Sequence, residues 1–166
     1  MPETAVRSLE QFLTDYSKSH RNPTNRLIHY VCVPVIFFAT LGLFWLVPIG
    51  RWLGLDGVAA NGVNLATLAA VLALVFYARL SAASFVSMLA WSAVSFAVIL
   101  AIESTGGSML VICASLWLAA WALQFYGHKV EGAKPSFADD LVFLLIGPLF
   151  VQHELIGSPG KGKSQA

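Results

Sequence analysis

The chain has 166 residues, of which 57% are hydrophobic and 11% are charged, and its mean hydropathy is +0.72. A soluble domain carries about 25% charged residues, so this composition excludes an ordinary water-soluble globule. The ten basic and nine acidic residues give a net charge of +1. A nucleic-acid-binding protein needs a concentrated basic face, so no nucleic-acid partner is expected.

The predicted elements begin with an amphipathic helix over residues 4–19. Its apolar residues recur at helical spacing on one side, opposite the charged ones, and they are Val6, Leu9, Phe12, Leu13 and Tyr16. A helix of this kind is typical of a segment that lies on the membrane surface.

Four stretches without a formal charge follow, each 22 to 25 residues long. A spanning helix needs about 20 predominantly apolar residues, because the hydrocarbon core must be crossed. Backbone hydrogen bonds have to close within each segment in lipid, which favours helices. The sequence therefore predicts four transmembrane helices, near 28–48, 62–79, 82–102 and 108–126. The predicted fold class is an all-α polytopic membrane helix bundle, forming a single domain over residues 1–166.

A shorter apolar segment, residues 137–150, comes after the fourth predicted span. Gly147 and Pro148 are expected to end its helix. The helical residues before them reach only about 16 Å, about half of the hydrocarbon thickness. We predict a re-entrant or interfacial helix here, followed by a flexible tail over residues 157–166.

Basic residues are distributed unevenly around the four predicted crossings. Nine of the ten fall on one side, and only Arg51 falls on the other. The positive-inside rule then places both termini in the cytoplasm. The expected location is the inner membrane of a bacterium or the endoplasmic reticulum of a eukaryote.

All four histidines lie at the cytoplasmic membrane boundary in this topology. They are His20, His29, His128 and His153. Neutral imidazole is a common ligand of zinc and iron, and ionisable clusters in membrane proteins are usually functional. No HxxxH or HExxH spacing is present. The pattern alone therefore leaves open whether these rings bind a metal or simply hydrogen-bond to headgroups and backbone.

The charged residues also bear on which classes of function the sequence allows. Glu131 follows His128 by three residues, so it shares a helix face with His128 if the helix continues, and otherwise lies in a solvated loop. No charged residue lies in the middle of a predicted span, which disfavours a transporter or channel. A non-catalytic membrane scaffold or assembly protein stays open as an alternative.

Three motifs, in the same order along the chain, resemble those of the Mpo1-like family of membrane proteins. They are YSKSHRNPTNRLIHYVCVP at 16–34, QFYGHKVEGAKP at 124–135 and GPLFVQHE at 147–154. The resemblance covers nearly the whole chain, although the middle of the chain matches only in hydrophobicity. It implies an Fe(II)-dependent dioxygenase that uses O₂ and a membrane-embedded 2-hydroxy fatty acid. The implied α-oxidation releases one carbon and leaves a shorter fatty acid.

The same resemblance implies roles for individual residues. His20, His29 and His128 become iron ligands, and the third motif adds either His153 or Glu154. Glu131 and Glu154 become catalytic candidates, and the side chains implied to support the ligands are Asn25 and Gln124. An all-histidine set does not separate iron from zinc, so a zinc-dependent lipid-modifying enzyme is a second alternative. A histidine-box desaturase is disfavoured, because that class needs about twice as many histidines.

Overall fold

The structure is a computed structural model that describes residues 7–138 and 140–156. The first residues of the predicted amphipathic helix and the predicted tail over 157–166 lie outside the described residues. The described part contains helices and no strand, which confirms the all-helical prediction.

The α-helices, in chain order, are α1 (Leu9–Ser17), α2 (Pro23–Trp45), α3 (Ile49–Trp52), α4 (Gly57–Gly62), α5 (Leu65–Leu80), α6 (Ala82–Ser104), α7 (Met109–Glu131) and α8 (Phe143–Ile156). A single 3₁₀ turn, Ser136–Ala138, lies between α7 and α8. The residues group into two compact units, which we call the terminal unit (residues 1–33 and 123–166) and the middle unit (residues 34–122).

Within the part of the chain that the structure describes, three helical stretches are long and apolar enough to cross a membrane, which indicates a membrane protein. They are Pro23–Trp52, Ala82–Ser104 and Met109–Glu131. Apolar α5 has 16 residues, and at 1.5 Å per residue it reaches only about 24 Å against about 30 Å of hydrocarbon. Three of the four predicted crossings therefore have helices of full spanning length, and the crossing near 62–79 stays a prediction.

In the terminal unit, α1 begins with a capping box. Gln11 N–H donates to the Ser8 hydroxyl, while Ser8 N–H donates to the Gln11 side chain. The buried side of α1 packs against α8, with the Phe12 and Phe143 rings 6.0 Å apart between centroids. This helix lies within the predicted amphipathic segment, and its end leads directly into the turn that carries His20.

The predicted break at Gly147 and Pro148 is wrong, because α8 continues through both residues to Ile156. Proline lacks the N–H that would bond to the preceding turn, so local preference favours a break. The apolar residues around Pro148 are buried nonetheless, and they are Ile146, Leu149, Phe150 and Val151. Their burial outweighs the missing hydrogen bond and moves the helix from the expected 137–150 to Phe143–Ile156.

In the middle unit, small and apolar residues form one hydrophobic core. Its buried members are Ala39, Leu41, Ala66, Ala70, Ile99, Met109 and Cys113. A Cβ at Gly42 would overlap the Cys113 sulfur, so glycine is what lets these two helices approach closely. Cys113 and Cys32 are both buried free thiols, as expected for small apolar residues.

Candidate metal centre

Three histidines from distant parts of the sequence meet inside the terminal unit. His20 lies in the turn between α1 and α2, His29 lies on α2 and His128 lies near the end of α7. All three are buried, and one ligand atom from each lies within 4.8 Å of the others. The ring centroids of His20 and His29 are 4.3 Å apart, and each is 5.0 Å from that of His128.

Hydrogen bonds to the backbone fix which nitrogen of two rings carries the proton. His20 Nδ1 lies 2.7 Å from the Tyr16 carbonyl oxygen, and His29 Nδ1 lies 2.9 Å from the Asn25 carbonyl oxygen. A carbonyl oxygen only accepts, so each Nδ1 must donate a proton. The two Nε2 atoms of the neutral rings then carry lone pairs.

These two lone pairs face each other, since His20 Nε2 lies 3.0 Å from His29 Nε2. Two acceptors at this distance repel unless a cation lies between or beside them. Burial, together with the neighbouring His29, lowers the pKa of His20 to about 3, so a proton is a poor candidate for that cation at neutral pH. The pair is therefore suited to a metal ion.

The third ring differs from the other two. His128 Nδ1 is buried and has no hydrogen-bonding partner among the described residues. A buried polar atom without a partner is costly, and a metal-binding histidine usually has both nitrogens engaged. The donor set of His20, His29 and His128 thus fits a metal ion.

Glu131 holds the turn that carries His20 and the start of α2. Its carboxylate accepts hydrogen bonds from Arg21 N–H at 2.9 Å, Asn22 N–H at 2.8 Å and Asn25 Nδ2 at 3.2 Å. Helix α7 continues to Glu131, so this carboxylate lies on the His128 side of the helix, which sequence analysis had left open. It connects the last turn of α7 to the residues that position the other two histidines.

The position of the Asn25 side chain depends on the glycine that precedes His128. A Cβ at Gly127 would overlap Asn25 Oδ1 and would lie 3.3 Å from Ile28 Cδ1. Asn25 is fully buried, and its Nδ2 also donates to the Ser19 carbonyl at 3.1 Å. Close approach of α2 and α7 at Gly127 is therefore what brings His29 near His128.

Glu154 and His153 lie outside the histidine cluster. Glu154 forms an ion pair with Arg26 and accepts a hydrogen bond from the Tyr30 hydroxyl at 3.2 Å, which ties α8 to α2. The His153 side chain is exposed and is not part of the metal-ligand group found among the described residues. Catalytic roles for Glu131 and Glu154 stay predictions.

Sequence analysis missed two residues that contact the first histidine. The Tyr16 ring stacks on His20 with centroids 4.1 Å apart and an angle of 3° between the planes. Ser19 Oγ lies 3.2 Å from His20 Nδ1 and 2.6 Å from Ser136 Oγ. Tyr16 precedes His20 by four residues, which is a helical spacing that the sequence already contained.

Comparison with known families identifies the family of the chain. The model of the Mpo1-like family, described as 2-hydroxy-palmitic acid dioxygenase Mpo1-like, matches residues 6–159. The chain belongs to the Mpo1-like family. The match includes all three histidines of the cluster and confirms the resemblance carried by the three motifs. Neither a curated protein nor a solved structure shows a significant match to this Mpo1-like chain.

Proposed function

We propose that this Mpo1-like chain is an iron-dependent dioxygenase that shortens 2-hydroxy fatty acids by one carbon. The observation that carries the proposal is the pair of Nε2 lone pairs of His20 and His29, which face each other at 3.0 Å beside buried His128. The family description supports the substrate class.

The preference for iron over zinc rests on the family description, because the dioxygenase chemistry that it names uses O₂, and ferrous sites with open positions bind O₂ together with a substrate. His20, His29 and His128 would hold the ion.

The chemistry that a bound ferrous ion supplies is activation of O₂ next to a chelating substrate. The reaction balances without another reductant. The bond between C1 and C2 breaks, C1 leaves as CO₂ and C2 becomes the new carboxyl carbon. The substrate loses four electrons, one O₂ accepts them, and one water forms.

The residues of the chain orient the ligands and keep water out. The Tyr16 and Asn25 carbonyls fix the His20 and His29 rings, so that Nε2 of each is the free donor. Glu131 fixes the turn before α2, and we propose that it acts as a positioning residue. The cluster lies near the ends of two helices of spanning length, so a fatty acid whose tail lies in the membrane could present its head to the metal.

In the topology we propose, the chain crosses the membrane four times, with α5 as the short second crossing. Both termini and the histidine cluster then lie on the cytoplasmic side. Arg51, the only basic residue expected on the other side, is exposed between α2 and α5. A reporter fused to either terminus should remain inaccessible from outside the cell, whereas a cysteine introduced in place of Arg51 should react with an external probe.

The test of the activity uses purified protein in detergent, loaded with iron under argon. Addition of air together with 2-hydroxypalmitate should yield the fatty acid that is one carbon shorter, with one CO₂ released for each O₂ consumed. Palmitate and argon-kept samples are the controls. Activity with zinc but not with iron, or a protein that binds no metal, would remove the dioxygenase proposal and leave the zinc enzyme or the scaffold.

A further inference from the structure

The family resemblance implies that Gln124 supports the metal ligands, but the state of its amide indicates a different contact. Gln124 is 5% exposed, and its amide Nε2 is buried without a hydrogen-bonding partner among the described residues. Burying an unpaired amide costs stability, and almost all buried polar groups in proteins are paired. Such an unpaired amide is expected where a polar group of a bound ligand supplies the missing hydrogen-bonding partner.

The position of Gln124 relative to the histidines follows from the helix contacts of the terminal unit. Glu131 contacts the start of α2, and Gly127, one turn earlier on α7, lies against Asn25 and Ile28 further along α2. The two helices therefore run antiparallel here. Gln124 is one turn before His128 on the same face of α7, towards the middle of that apolar helix.

In the orientation proposed above, the carboxylate lies at the cluster and the alkyl tail extends into the apolar region, on the side of His128 where Gln124 lies. C2 and its hydroxyl group are then the first atoms of the substrate on that side, within reach of the long Gln124 side chain. The orphaned Nε2 of Gln124 only donates, so it needs an oxygen that accepts. With the carboxylate held at the cluster, the 2-hydroxyl oxygen is the remaining acceptor of this substrate, and an ordinary fatty acid lacks it.

We infer that Gln124 binds the 2-hydroxyl group of the fatty acid and selects hydroxylated over unmodified chains, an inference that rests on the proposed function. A membrane contains unmodified fatty acids that match the substrate in tail and carboxylate. A purely apolar pocket discriminates poorly against such analogues, whereas a site with a buried polar group rejects the analogue that leaves the group unpaired. Gln124 supplies that polar group on the tail side of the metal site.

The test measures binding rather than turnover. The Gln124→Met variant keeps the approximate length of the side chain and removes its polar atoms. Iron-loaded protein in detergent is titrated under argon with 2-hydroxypalmitate and with palmitate. Wild type should prefer the hydroxylated acid at least about tenfold, and the variant should bind the two acids within about twofold of each other. The metal content of the variant should equal that of wild type.

Two further variants keep the test decisive. Gln152→Met removes another buried amide of the terminal unit and should leave the preference unchanged. Gln124→Asn, which retracts the amide by one methylene, replaces the methionine variant if that protein does not fold, and it should lose most of the preference. A Gln124 variant that keeps the wild-type preference overturns the inference, and so does a variant that loses its metal, since Gln124 would then act through His128.

The two proposals fail in different ways. If wild type neither shortens 2-hydroxypalmitate nor prefers it over palmitate, the proposed function fails and this inference fails with it. If wild type turns the substrate over and the Gln124 variants keep the preference, only the role of Gln124 is wrong.

Discussion

The terminal unit and the middle unit use their buried polar side chains in different ways. In the middle unit, buried serines of α6 return their hydroxyls to their own helix, with Ser92 donating to the Met88 carbonyl at 2.8 Å. In the terminal unit, the buried Asn25 amide donates to Glu131, which is 106 positions away. A hydrogen bond within one helix forms wherever that helix lies, whereas a hydrogen bond between distant residues fixes the position of one element relative to another. The long-range bonds of the terminal unit thus fix the three buried histidines, the candidate metal ligands, relative to one another.

The largest expected effect comes from removing a ligand. Replacing His20, His29 or His128 by alanine should lower bound metal from about one ion per chain to less than about a tenth of that, because each ring would supply one of the three donors that the described residues bring together. Metal content after purification measures the effect, together with oxygen-dependent turnover.

Two control substitutions sharpen this prediction. His153→Ala and Ser92→Ala should both retain the metal, because the first residue lies outside the cluster and the second bonds only within α6 in the middle unit. Loss of metal from His153→Ala would show that the ligand set is larger than the three buried histidines.

A smaller effect is expected at the carboxylates. Glu131→Gln weakens three hydrogen bonds that position the turn before α2, and residues of this kind change metal affinity by about 10–100-fold. Glu154→Gln disturbs only the attachment of α8 to α2, through Arg26 and Tyr30. Its affinity should stay within about threefold of wild type. Competition with a chelator of known affinity measures both variants, and equal losses would contradict the assignment of Glu131 to the site.

The smallest effect compares two glycines, one from each unit. Gly127→Ala forces Asn25 aside, and Gly42→Ala forces the Cys113 sulfur aside, so each should lower the free energy of unfolding by about 1–3 kcal/mol. Only Gly127→Ala should also weaken metal binding, because Asn25 orients His29. Thermal unfolding and metal titration separate the two effects.

In the middle unit, a second substitution should compensate for the first. Cys113→Ala removes the sulfur that a Cβ at position 42 would meet, so it should restore part of the stability lost by Gly42→Ala. A double variant that is no more stable than Gly42→Ala would mean that the close approach depends on other atoms.

The sequence predicted the positions of the apolar helices well. A stretch of more than 20 residues without charge suits the hydrocarbon of a membrane, where the backbone must form a helix to satisfy its hydrogen bonds. The predicted alternation of crossings also placed all four histidines on one side, and the structure brings three of them, His20, His29 and His128, together. Continuation of α8 through Pro148 could not be predicted, because it depends on burial against α1. Separation of His153 from the other three histidines depends on the same packing.

The contacts of single polar groups were harder still to predict. Asn25 and Glu131 stood out in the motifs, but their hydrogen bonds depend on the register of α2 against α7, which Gly127 allows. Tyr16 was assigned only to the apolar face of α1, and its stacking on His20 depends on how the chain turns after Ser17.

The order in which the polypeptide is made has a consequence for this site. His20 and His29 emerge early in synthesis, but His128 follows His20 by 108 positions and lies at the end of the last helix of spanning length. A nascent chain interrupted before α7 would carry two facing imidazoles and no third, so it should release any ion it captures. Stable loading would therefore report that α7 has reached its place beside the start of α2.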